Sequence, residues 1–133
     1  MIIRKNMTNG EIYTTANNLL DAFKDISDLK LPVKIHFYFQ KNMNSIVDMG
    51  QDIEKARMEI VEKYGTLNED GQSYNIPEDK IEQANQDISD LFSLEQEVKV
   101  HTFPLEWLDG IELDAKQVNA FSFMIDDEEE ERE

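Results

Sequence analysis

At 133 residues the chain fits one domain and can bury a core without a disulfide or metal staple. It has no cysteine, which excludes disulfide frameworks, thiolate zinc sites, iron–sulfur clusters and cysteine nucleophiles, and fits a reducing compartment. Its net charge of −16, from 29 acidic and 13 basic residues, opposes contact with phosphate backbones and anionic membranes and makes a basic protein surface the electrostatic complement.

The start of the chain, Met1-Ile2-Ile3 followed by Arg4 and Lys5, lacks the apolar run of a secretory signal. No stretch approaches the roughly 18–20 apolar residues of a membrane span. A soluble, intracellular protein is expected. "MIIRK" is short and β-branched and predicts an edge strand. From Glu11 to about Ile26 the apolar residues Ile12, Ala16, Leu19, Leu20, Phe23 and Ile26 recur at helical spacing. Thr8 or Asn9 can cap that helix, and Asp25, Ser27 and Asp28 mark its end.

The next segment supports two readings. Val33, Ile35, Phe37 and Phe39 alternate with Lys34, His36, Tyr38 and Gln40, which is a strand period. Pro32, however, suits a first helical turn, and Phe39, Met43, Ile46, Val47, Met49, Ile53, Ala56, Ile60 and Tyr64 step by helical intervals. The preferred expectation is one long helix over about 32–64, stopped by Gly65, with Gly50 as the site of a bend and a cost of about 1 kcal/mol against alanine. On the strand reading the helix starts near Asn42.

"TLNEDGQSYNIP" predicts a hairpin or ordered loop around Asp70-Gly71. Pro77 opens a helix whose apolar face holds Ile81, Ala84, Ile88, Leu91 and Leu94, with Glu78, Asp79 and Glu82 in its first turns, where the helix dipole favours acids. Val98, Val100 and Thr102 alternate with Lys99, His101 and Phe103 as a strand that can pair with "MIIRK". Leu105, Trp107, Leu108, Ile111 and Leu113 form an apolar connector. Asp114 then caps a last short helix with Val118, Phe121, Phe123 and Met124 partly inward. The sum is an α+β domain over residues 1–125: three main helices, one of them long, packed with a small antiparallel sheet that the hairpin could join. Residues 126–133 form an acidic C-terminal tail expected to be solvated and disordered; it carries −6, and residues 1–125 still carry −10.

Motifs for chemistry are sparse. His36 and His101 sit in no nucleophile elbow and no paired-histidine metal motif. The acids at helical neighbour spacings, such as Glu59 with Glu62, read as a solvated face. A calcium loop aligned on Gly71 places Asn68 and Asp70 well but puts Thr66 at the first ligand position and Pro77 at the bidentate one. The five glycines are isolated, so no phosphate loop is formed. No enzyme, cofactor or metal is expected, and no catalytic residue is nominated. The six methionines read first as core filling and second as an adaptable binding surface. Consecutive aromatics at Phe37, Tyr38 and Phe39 cannot all face one core, so one of them is expected to meet another element of the fold or a partner. Candidate partner-binding residues are therefore Phe37, Tyr38 and Trp107, together with Asp126, Asp127, Glu128, Glu129 and Glu130 of the tail.

In order, "NGEIYTTANNLLDAF", "LKLPVKIHFYFQKNMNSI", "DIEKARMEIVEKYG", "PEDKIEQANQDISDLFSLEQEVKV" and "LDGIELDAKQVNAF" resemble a family of small uncharacterised proteins of tailed bacteriophages and prophages. The resemblance spans about Met1 to Met124 and is carried most by "LPVK…N…EKYG" followed by "LEQEVKV". It implies a phage origin and this layout, and it transfers no site residue. The "FYF" triplet is more aromatic than the family's usual aliphatic and small residues there, and "DDEEEERE" lies outside the resemblance. Two functions follow as expectations. The first is a non-catalytic protein that binds a phage structural protein or a host enzyme, as assembly factor, virion component or host modulator, in the host cytoplasm or incorporated in the virion. The alternative is an acidic nucleic-acid mimic that inhibits a host nuclease such as a CRISPR or restriction enzyme. A homodimer through the long helix is left open.

Overall fold

A computed structural model describes residues 1–126. Strand β1 (Ile2–Thr8) runs directly into helix α1 (Asn9–Ser27), and Thr8 makes the junction. Its hydroxyl accepts from the Glu11 backbone N–H at 3.1 Å, and its own N–H donates to the Glu11 carboxylate at 2.9 Å. That reciprocal pair satisfies two donors that a helix start leaves without partners. Asn9, the other expected cap, is buried instead. Its amide donates to the Leu91 carbonyl at 2.9 Å and its oxygen accepts from Gln96 at 2.6 Å, so it pins the start of α1 to Leu91 and Gln96, 82 and 87 residues away in sequence.

Helix α2 (Val33–Tyr64) settles the ambiguous segment as helix. The helical period wins because it continues for several turns, and the backbone buries Ile35, Phe39, Met43, Ile46 and Ile53 along one stripe. Val33 and Phe37, which a strand would place with Ile35 and Phe39, are exposed. The helix passes Gly50 without interruption. Gly50 is buried where α2 meets α1, and a Cβ there would lie 3.0 Å from the Ala16 methyl, so close helix approach accounts for the glycine. Gly65 ends the helix in extended rather than left-handed backbone, where a Cβ would crowd the Val61 carbonyl at 2.8 Å.

The expected hairpin forms from β2 (Thr66–Leu67) and β3 (Tyr74–Asn75). Gly71 takes φ +70°, and the Asp70 carboxylate accepts from the Gln72 and Ser73 N–H groups. Helix α3 (Glu78–Ser93) follows and leads into β4 (Glu95–His101). Strands β1 and β4 pair antiparallel from Ile2↔His101 to Thr8↔Glu95. Beyond them lie β5 (Phe103–Pro104), a 3₁₀ turn (Leu105–Leu108), α4 (Ala115–Ser122) and β6 (Ile125–Asp126). Asp114 caps α4 through a reciprocal pair with Gln117.

The α+β class and the long helix are as expected, but the sheet is not one sheet. The hairpin stays separate from β1 and β4, and β5 pairs with β6 in parallel, Phe103↔Ile125 and Pro104↔Asp126. The strand expected over 98–103 is Glu95–His101; Thr102 still exchanges backbone bonds with Met1, its N–H donating at 2.7 Å and its carbonyl accepting at 3.1 Å, and Phe103 starts a new pairing with Ile125. Among the described residues the helices number four rather than three, α4 being the short one. Leu20, Ile81, Leu94 and Val118, assigned to inward faces, are exposed, whereas Gln117 is buried. Asp126, assigned to the tail, lies in β6; Asp127, Glu128, Glu129 and Glu130 lie outside the described residues.

The core joins Ile12, Leu19 and Ile26 of α1, Ile35, Phe39 and Ile46 of α2, Val98 and Val100 of β4, and Phe103, Phe121 and Met124. Each such side chain contributes about 1.5–3 kcal/mol on burial. Met7, Met43 and Met124 fill this core, as the first reading of the methionines anticipated.

Candidate partner-binding face

The first half of α2 builds one side of an aromatic face. Lys34, Tyr38 and Lys41 fall at intervals of four and three, and Val33, Phe37 and Lys41 at intervals of four, so both rows lie on neighbouring stripes of the helix. The other side comes from β5 and the 3₁₀ turn, where Pro104 precedes Leu105 and Trp107. The two sides meet in a stack of nearly parallel rings. Phe103 and Trp107 lie 5.5 Å apart at 8°, Trp107 and Tyr38 5.9 Å apart at 11°, and Tyr38 and His101 5.9 Å apart at 19°. These centroid separations are those of offset stacking.

The stack is anchored at both ends. Phe103 is buried in the core and meets Phe121 edge-on. The His101 backbone is held by Asn42, one turn beyond Tyr38 on α2: the Asn42 amide donates to the His101 carbonyl at 2.8 Å, and its oxygen accepts the His101 N–H at 2.8 Å. Between these ends, Tyr38, Trp107 and His101 are half-buried and reach the surface. Phe37 lies 6.1 Å from Tyr38 and is 58% exposed. Val33 and Leu105 are exposed as well.

Lysines lie over this face. The Lys34 ammonium sits 3.8 Å from the Trp107 ring centroid, and Lys41 lies 5.4 Å from that of Phe37. From Leu29 to Val47 the chain carries Lys30, Lys34 and Lys41 and no carboxylate, an exception in so acidic a sequence. His101 senses this environment. Burial first, then Lys41, Lys99 and the N-terminal ammonium, push its pKa below the usual imidazole value. Among the described residues, Glu106 in the 3₁₀ turn and Asp126 opposite Pro104 place carboxylates on the connector side.

Of the residues nominated from sequence, the structure thus brings Phe37, Tyr38 and Trp107 together. Sequence reasoning missed Lys34, Lys41, His101 and Asn42. The four-residue spacing of Lys34 to Tyr38 and the seven-residue spacing of Lys34 to Lys41 were legible as one face once the helix was chosen, but the pairing of that face with Trp107 was not.

Other polar groups are occupied locally. The His36 ring nitrogen Nε2 lies 3.1 Å from the Leu29 carbonyl. Tyr13 donates to Glu54 at 2.9 Å, and Arg57 donates to both oxygens of the same carboxylate at 2.9 and 2.6 Å. Arg57 lowers the Glu54 pKa, and Glu54 in turn raises that of Tyr13. This cluster borders a groove of about 180 Å³ between α1 and α2, floored by Ala16 and Gly50. Among the described residues, no group of three or more His, Asp or Glu side chains converges as metal ligands would, and no helix is long and apolar enough to cross a membrane. In comparisons with known proteins, no family model, no curated protein and no solved structure matches this chain.

Proposed function

We propose that this chain is a non-catalytic protein-binding module of tailed-phage or prophage origin that docks its partner on the face of Phe37, Tyr38 and Trp107. The observation that carries the reading is the stack of Tyr38 on Trp107 beside an exposed Phe37. Tyrosine and tryptophan supply large, rigid contact areas with a polar tip, and they are enriched among residues that dominate binding energy. Here both rings are fixed by packing before a partner arrives, which reduces the ordering cost of association. Exposed Val33, Phe37 and Leu105 surround them with apolar surface that has no role in the chain's own core. The role is that of an assembly factor, virion component or modulator of host machinery, exerted in the host cytoplasm or the virion. The test is affinity capture from infected and uninfected host lysates with the wild-type chain and Phe37→Asp. Proteins retained by the first and lost by the second support the reading, and an identical set with both overturns it.

A second reading, an acidic nucleic-acid mimic, draws on α3, where Glu78, Asp79 and Glu82 are exposed at the helix start beside a single base, Lys80. Along the turns that follow, Gln86 and Ser89 interrupt the row, which favours the aromatic face. Capture of a host nuclease that is lost steeply as salt rises, and lost in Glu78→Lys/Glu82→Lys, would favour the mimic.

A further inference from the structure

Resting on the protein-binding reading, we infer that the partner segment seated on this face is acidic, an extended stretch in which carboxylates flank apolar side chains. This is the opposite of what net charge leads one to expect. The overall charge of −16 selects basic partners at long range. Contact specificity, however, is set within about a Debye length, roughly 8 Å at physiological ionic strength. Within that range the aromatic stack is bordered by Lys34 over Trp107, Lys41 over Phe37, and the Lys41, Lys99 and N-terminal charges felt at His101. Lys30 extends the same sign toward the start of α2, across 19 residues without a carboxylate. Among the described residues, Glu106 and Asp126 lie on the connector side.

The geometry also argues for a segment that carries both kinds of side chain. The exposed rings and Val33 take apolar groups, while Lys34 and Lys41, about two helical turns apart, take carboxylates beside them. A cationic segment would have to place its charge against Lys34 and Lys41, which costs affinity at contact distance. A nucleic-acid strand would also meet rings and lysines, but it would have to approach the remaining acidic surface, so the acidic peptide is favoured.

The chain has one tryptophan, so Trp107 emission reports occupancy of this face directly. The experiment titrates the full chain with a synthetic peptide of alternating glutamate and leucine, a matched lysine–leucine peptide and a single-stranded oligonucleotide. The expected result is a saturable Trp107 shift with the glutamate peptide. Its affinity falls about tenfold in Lys34→Glu/Lys41→Glu, the loss of two partly exposed ion pairs, and is unchanged in Lys80→Glu on α3. A saturable shift with the lysine peptide or the oligonucleotide instead overturns the inference but leaves a binding face in place. If the glutamate peptide binds only after residues 127–133 are removed, the chain's own terminus is the occupant and an acidic partner segment is overturned. If no probe moves Trp107 and Phe37→Asp changes no captured protein, the protein-binding reading itself fails.

Discussion

Asn42 pairs with the backbone of His101 as a neighbouring strand would, donating to its carbonyl and accepting its N–H, both at 2.8 Å. A side chain of α2 thereby pairs with the edge of β4 that faces away from β1, beside Thr102, which exchanges both backbone bonds with Met1. The same amide nitrogen contacts the Met124 sulfur at 3.6 Å, so the contact is enclosed by core.

Asn42→Leu keeps the number and branching of side-chain heavy atoms but leaves the His101 N–H and carbonyl without partners. Orphaned buried groups cost about 1–3 kcal/mol, so the urea midpoint is expected to fall with an unchanged m-value. Because Tyr38 stacks on His101 and Trp107 on Tyr38, Trp107 emission should shift in the folded state as well. Asn9→Leu provides the contrast: a comparable loss of stability with no change at Trp107, since Asn9 joins α1 to Leu91 and Gln96 elsewhere. Equal emission in both variants would show that Asn42 does not hold the stack.

At Gly50, two effects compete. Alanine gains about 1 kcal/mol of helix propensity, but its methyl would meet the Ala16 methyl at 3.0 Å between two long helices that cannot separate locally. Overpacking of this kind costs about 1–3 kcal/mol, so Gly50→Ala is expected to be destabilising by about 1 kcal/mol in thermal or urea unfolding. Ala16→Gly in the same chain should recover that loss through removal of the clash, a non-additivity readable in a double-mutant cycle.

The depressed pKa of His101 has a defined sign. The unfolded chain binds this proton more readily than the folded one, so folding gains stability as pH rises through the window between the lowered value and the ordinary 6.5. That stability is complete above the ordinary value and is lost as pH falls through the folded one. His101→Gln is expected to flatten the stability profile just below the ordinary imidazole value of 6.5, measured by urea midpoints, whereas the carboxylate-dependent fall at lower pH remains. In that lower range Glu54, held down chiefly by Arg57, contributes with the usual carboxylate sign: stability present at neutral pH and lost on protonation.

Much of this fold was legible from periodicity and capping. Thr8 with Glu11 and Asp114 with Gln117 are local patterns, and both structures depend only on residues three apart. The long helix was also legible because its apolar stripe continues beyond the reach of the competing strand pattern. What failed was non-local. The parallel pairing of Phe103–Pro104 with Ile125–Asp126 joins segments whose sequence distance leaves no periodic trace, and it moved Asp126 from the tail into the fold. The aromatic face was half legible. Phe37, Tyr38 and Trp107 stood out by type, but their union depends on Asn42, an unremarkable polar residue in sequence whose partner is backbone. The lysines over the rings escaped notice because net charge averaged them away.

Phe37 and Phe39 provide the sharpest separation of binding from stability. They are two residues apart on one helix, yet Phe39 is 2% exposed and packs edge-on against Phe121, while Phe37 is 58% exposed. Phe39→Ala is expected to cost about 3–5 kcal/mol, a loss large enough to unfold much of the population of a marginally stable domain. Phe37→Ala should stay within about 0.5 kcal/mol of wild type in the same assay, because little of its ring is removed from water by folding. In affinity capture the order reverses in meaning: Phe37→Ala, fully folded by circular dichroism, should lose the partner. A folded Phe37→Ala chain that retains every captured protein would show that the exposed aromatic is not part of the contact surface, and would return the search for that surface to the acidic face of α3.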